Sequence, residues 1–192
     1  YSNILFSRST DMGATWSSPI RINERSGDCL DGNNSVMGAM PTTGPNGEIY
    51  VSWPGPDCIL FDRSTDQGMT WLSQDIIVAA NPAGDHIVIP GIYRGGSVPV
   101  IACDLSRGPY RGTIYINWSD QINGPNDADV WLIKSTDGGF TWEKRDSLIT
   151  TSFVRWYDIA FYDANKGVVV GSEKYVQRYT TDGGETWIPV TI

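Results

Sequence analysis

Two short clusters of side-chain oxygens stand out: Asp28, Asp31, Asn33 and Asn34 in one, Asn126, Asp127 and Asp129 in the other. A hard cation such as calcium prefers ligands of this kind, which makes Asp28, Asp31, Asp127 and Asp129 its candidates. Neither cluster has EF-hand spacing, and Asn and Asp bonding their own backbone in turns accounts for both equally well. Two carboxylates that face each other can also act as acid and base on a glycosidic bond, across roughly 6.5–9.5 Å where a water must fit between them. Trp156 with Tyr157 can offer a flat platform to a sugar ring, with core packing as the competing use. Arg155 and Glu173 read plainly as solvated or ion-paired loop charges. The single His86 cannot build a histidine-rich zinc site.

Cys29, Cys58 and Cys103 are an odd number without metal-type spacing, so a full disulfide framework is excluded. A Cys29–Cys58 bridge stays open, against a plain reading of all three as small buried hydrophobes. No residue pattern supplies a catalytic partner for a thiol.

These residues must be positioned by strands. Glycine at 21, eight tryptophans, nine tyrosines and 19% charged residues describe a turn-rich, aromatic β protein. The 192 residues carry 14 basic and 22 acidic side chains, a net charge of −8, with no Lys/Arg stripe to track phosphates, which argues against nucleic acid. No apolar run approaches the roughly 20 residues that cross a bilayer as a helix.

One octad occurs four times: Ser9 to Trp16, Ser64 to Trp71, Ser135 to Trp142 and Thr180 to Trp187, with the pattern S/T-T-D-x-G-x-T-W. Strand-like runs flank each copy, so each is expected to be a hairpin turn. Asp11, Asp66, Asp137 and Asp182 accept backbone N–H groups across it, and Gly13, Gly68, Gly139 and Gly184 supply a positive φ. Trp16, Trp71, Trp142 and Trp187 cover the hairpin base.

The octad resembles the Asp-box, or BNR repeat, of sialidase-like β-propellers, over nearly the whole chain. The resemblance implies an all-β propeller whose four-stranded antiparallel blades carry the box between their third and fourth strands, with ligand sites on the opposite face. Laid out so, residues 1–192 form a single propeller segment of about three and a half blades: an outer half-blade at 1–23 and blades at 35–80, 97–150 and 153–192. The outer strand of the blade at 97–150 is expected at Ser147 to Thr150. The octad aspartates stand 55, 71 and 45 residues apart, and the longest interval holds Asn81 to Ser97 and Ser119 to Asp129, loops long enough to be functional. Three and a half blades do not close a ring, so further blades are expected from a longer chain or from another copy.

On the face opposite the boxes this layout collects Asp28, Asp31, Asn33, Asn34, Asp57, Asp85, His86, Arg94, Asp120, Asn126, Asp127, Asp129, Arg155, Trp156, Tyr157, Glu173 and Lys174. A sialidase-type hydrolase implies an arginine triad, a Tyr nucleophile activated by Glu and an Asp acid/base, parts for which Arg94, Arg155, Tyr157, Glu173 and Asp120 are the candidates. A third arginine and the F/Y-R-I-P signature are absent. Trp156, Tyr157, Arg94 and Asp57 are the ligand-binding candidates. The last blade, Asp158 to Gly171, is similar to photosystem II assembly-factor-type propellers, which bind proteins. The leading expectation is therefore a non-catalytic extracellular or periplasmic module that binds glycan or protein or builds an assembly, without a cofactor unless calcium binds. The alternatives are part of a sialidase-like glycoside hydrolase and a self-assembling oligomer or filament subunit.

Overall fold

A computed structural model describes residues 1–30, 34–81, 87, 96, 98–124, 129–145, 156–163, 165–171 and 177–190. Among them every regular element is a strand. A two-stranded ribbon, β1 (Leu5–Phe6) and β2 (Ile20–Arg21), comes first. Three four-stranded antiparallel sheets follow, each in simple sequence order. The first is β3 (Met40–Thr43), β4 (Ile49–Gly55), β5 (Cys58–Ser64) and β6 (Ile76–Ala80). Next come β7 (Val100–Cys103), β8 (Ile114–Asp120), β9 (Asp129–Ser135) and β10 (Glu143–Arg145). The last is β11 (Trp156–Phe161), β12 (Gly167–Gly171), β13 (Gln177–Thr180) and β14 (Ile188–Pro189). These are the half-blade and three blades of an all-β propeller.

β4 and β5 are buried along nearly their whole length because both faces of this sheet are covered. Val51, Trp53, Cys58 and Leu60 pack with Ile4 and Ile22 of the half-blade. Tyr50, Ile59 and Phe61 pack on the other side with Ile101, Ile114, Ile116, Trp118, Trp131 and Ile133. Each fully buried Ile, Leu or Phe here contributes roughly 1.5–3 kcal/mol. β8 and β9 alternate strictly between buried and half-buried residues, and the buried set faces β4 and β5.

Three expectations are corrected. The outer strand of the second full blade is Glu143–Arg145, not Ser147 to Thr150: Glu143 pairs with Lys134 directly across the octad, and Lys144 lies 3.6 Å from the Trp131 ring centroid. Cross-strand packing outweighs the weak β propensity of a charged tripeptide. Residues 146–150 lie outside those described. Ser119, Asp120 and Asp129 are not loop residues; Ser119 pairs with Val130 and Asp120 with Asp129, so the ladder carries the strands further than their polar side chains suggested. Cys29 is exposed and unbonded, Cys58 buried and Cys103 half-buried, so neither the Cys29–Cys58 bridge nor burial of all three holds.

Candidate functional site

The octads are closed by their own side chains. In the third, Ser135 Oγ accepts the Gly139 N–H at 2.8 Å and donates to Asp137 at 2.8 Å, while Asp137 accepts the Thr141 N–H at 3.0 Å and the Thr141 hydroxyl at 2.6 Å. The same four bonds recur around Asp11, Asp66 and Asp182. The Thr hydroxyl is the first cause that holds Asp11 and Asp182 down at about 2, and it drives Asp66 and Asp137 in the same direction. Carboxylates so engaged close a turn. The Ser/Thr and Thr positions were legible as part of the repeat, but their role as bridges was not.

Octads also join blades. Arg8 donates to the Gln67 carbonyl and Arg63 to the Gly138 carbonyl, each at 2.8 Å. Phe6 meets Trp71 edge-on at 4.9 Å and Phe61 meets Trp142 at 5.2 Å. One blade's Phe-x-Arg therefore grips the next blade's octad. At the following joint these two positions are Leu132 and Lys134, which line a gap of about 20 Å³ together with Asp182, Gly183 and Gly184.

At the opposite ends of the strands the sequence ladder of β8 and β9 brings Asp120 and Asp129 face to face. They are 1% and 7% exposed. Neither Asp120 oxygen closes a hydrogen bond of full geometry. Burial pushes its carboxyl up, partly countered by the nearby Gln121 amide, Trp118 indole and Ile122 amide. Asp129 accepts from Asn123 Nδ2 at 2.6 Å. Directly paired residues hold their Cβ atoms about 4.5–5.5 Å apart, a tighter arrangement than two carboxyls flanking a water require.

Asp120 lines a cleft of about 240 Å³ between β6 and the β8–β9 face. Val78, Ala79 and Ala80 form one wall; Trp118, Trp131, Ile133, Trp142 and Lys144 form the other. The sequence signal for it was the alternation Ile114-x-Ile116-x-Trp118-x-Asp120 beside Asp129-x-Trp131-x-Ile133, in which a carboxylate ends each apolar face. Nothing in the alternation marks which of these residues face a space, and only the pairing of two blades leaves space over Trp118 and Trp131.

The remaining sequence candidates separate. Asp57 sits in the β4–β5 turn with φ 58°, on a different blade from Asp120, and its carbonyl accepts the Asn81 N–H at 2.9 Å. Trp156 and Tyr157 begin β11, where the register shifts between Trp156 and Asp158. Asp28 accepts the Leu30 N–H at 2.9 Å and Asn34 Nδ2 at 3.0 Å. Arg94, Arg155 and Glu173, with Asp31, Asp85, His86, Asp127 and Lys174, lie outside the described residues. Among those described, no group of three or more His, Cys, Asp or Glu is arranged around a metal position. Burial raises the Cys58 thiol, and burial first of all raises Cys103 to about 11, so neither is a ready nucleophile near neutral pH.

No family model matches the chain. A curated sialidase of Micromonospora viridifaciens is 24% identical over 76% of this chain, which spans only 27% of that protein's length. Solved structures carry the likeness further in space than in sequence. A Hadza microbial sialidase superposes with a TM-score of 0.57 at 19% identity, covering 98% of this chain and 40% of its own. A Penicillium chrysogenum alpha-L-arabinanase, solved with arabinobiose, gives 0.53 at 17%, covering 100% and 55%. An ulvan lyase, a polysaccharide lyase, gives 0.55 at 14%, covering 98% and 49%. The fold is that of sialidase- and arabinanase-like β-propellers, and the chain spans about half the length of these neighbours or less.

Proposed function

We propose that this chain is a segment of a carbohydrate-handling, sialidase-like propeller whose blades bind glycan without by themselves completing a catalytic site. The observation that carries this reading is the superposition of nearly the whole chain on propellers named for acting on polysaccharide, arabinan and sialoside substrates. The buried carboxyl and the tryptophans at the strand ends away from the octads agree with it. In this reading the octads are Asp-boxes and serve structure, and further blades are supplied by more chain or by another copy. The setting is extracellular or periplasmic, with a protein ligand as the competing partner, as the last blade's resemblance implies.

A second reading, part of a glycoside hydrolase, is favoured by the curated sialidase relative and by Asp120. A buried carboxyl raised above the usual range is suited to act as a general acid. Both readings meet in one experiment: glycan-array binding by the 192-residue chain, together with turnover of aryl sialosides and arabinofuranosides. Binding without turnover is the expected result. Turnover by this chain replaces the first reading with the second, and an array without binding removes both.

A further inference from the structure

The cleft between β6 and the β8–β9 face holds polar groups that blade packing does not use. In its wall the Asp120 carboxyl is met only loosely, by the Trp118 indole and the Gln121 and Ile122 amides, and the Trp131 indole Nε1 has no hydrogen-bond partner among the described residues. Their residues are only 1%, 6% and 7% exposed. Groups of this kind are expensive to leave unmet, and a native protein ordinarily meets them. The volume, about 240 Å³, falls just below the roughly 300–1,000 Å³ of drug-sized sites and suits a single ring.

We propose that this cleft is a binding site for one uncharged sugar ring, a site between two blades; the proposal rests on the carbohydrate reading above. A sugar hydroxyl is donor and acceptor at once. It can give its proton to Asp120 and receive the Trp131 indole N–H, which completes both with one functional group. The C–H face of the ring finds aromatic and aliphatic cover from Trp142, Ile133 and Val78. Charge selects against acidic sugars, because Asp120 lines the cleft and Asp129 is paired directly beside it. The Lys144 ammonium, 3.6 Å from the Trp131 ring centroid, is one positive charge against these two carboxyls, so the balance stays negative. Ile122, 50% exposed, stands at the rim.

The test is titration of the isotopically labelled full chain with neutral mono- and disaccharides and with glucuronate and sialic acid, following indole N–H resonances by NMR. Neutral sugars should shift the Trp118 and Trp131 signals, acidic ones should bind at least tenfold more weakly, and Asp120→Asn should weaken the neutral sugar at least tenfold. Ile122→Arg blocks the rim from an exposed position that does not challenge folding, and it should abolish the shifts. If neutral sugars bind unchanged in Ile122→Arg, or acidic sugars bind equally well, the cleft assignment fails while the carbohydrate reading stands. If the chain binds no glycan at all, both fail.

Discussion

At the residue scale, one side chain in each octad decides how well the turn is closed, and its burial decides how much its loss costs. Ser135 Oγ receives a buried N–H from Gly139, whereas the equivalent bond from Gly13 to Ser9 is exposed. Removing Ser135 strands that donor, at about 1–3 kcal/mol. Ser135→Ala should therefore lower stability in urea unfolding by that amount and Ser9→Ala by clearly less. Glycine gives a parallel contrast. Gly13 and Gly68 both hold left-handed φ, 88° and 82°, but a Cβ on Gly13 meets nothing, and one on Gly68 drives into the Phe6 ring. Gly13→Ala should cost about 1–2 kcal/mol for the backbone alone. Gly68→Ala should cost about 1–3 kcal/mol more for the overpacking, and equal losses in denaturant titration would contradict this account of the joint.

At the element scale, the units that matter are the joints between successive blades. Phe61 is fully buried between Tyr50 and Trp142, and Arg63 beside it reaches the next octad and stacks over Phe140 at 3.8 Å. Phe61→Ala should cost about 3–5 kcal/mol, as deletion of a buried aromatic does. The third joint lacks this grip, with Leu132 and Lys134 in place of Phe and Arg, and Lys134 turns to Glu143 at 3.8 Å. Lys134→Arg supplies the fork that recurs at the first two joints, and calorimetry should show a gain of about 0.5–1.5 kcal/mol, one hydrogen bond's worth.

At the scale of the whole molecule, the seam between the half-blade and the next blade carries a cluster of carboxyls. The Asp75 N–H donates to Glu24 at 2.7 Å, the Glu24 N–H donates to Asp75 at 3.2 Å, and buried Asp62 adds its charge. Burial is the main cause that raises Asp62 to about 6 and Asp75 to about 7. A carboxyl raised in the folded state favours folding while it is protonated, and that contribution is lost as pH rises through the raised value. The octad aspartates work in the opposite sense: held low in the folded state, they stabilise above the ordinary carboxylate range and lose that effect as pH falls toward about 2. Thermal unfolding midpoints should thus peak near pH 4–5, fall between about pH 5 and 7.5, and fall again in strong acid. Asp75→Asn should flatten the first decline and leave the acid limb unchanged.

The sequence by itself determined the repeating part of this protein. Four octads, each between alternating strands, specify hairpins through contacts no more than a few residues apart, and Asp11, Asp66, Asp137 and Asp182 close their turns whatever surrounds them. The resemblance carried by those octads extended the local pattern to blades, and the sheets follow it. What the tertiary structure decided lies between blades. That Arg63 holds the next octad's carbonyl, 75 residues away, has no signature in any short window, because the partner atom is backbone and is common to every residue type. The candidate site is hidden for the same reason. Asp120 and Asp129 read as loop residues, since Asp is disfavoured in strands, until their pairing put both on the buried face. Trp118 and Trp131 belong to the core cluster, except where the separation of β6 from β8 and β9 leaves a cleft above them. Such a space is a difference between two surfaces, and it exists only once both are in place.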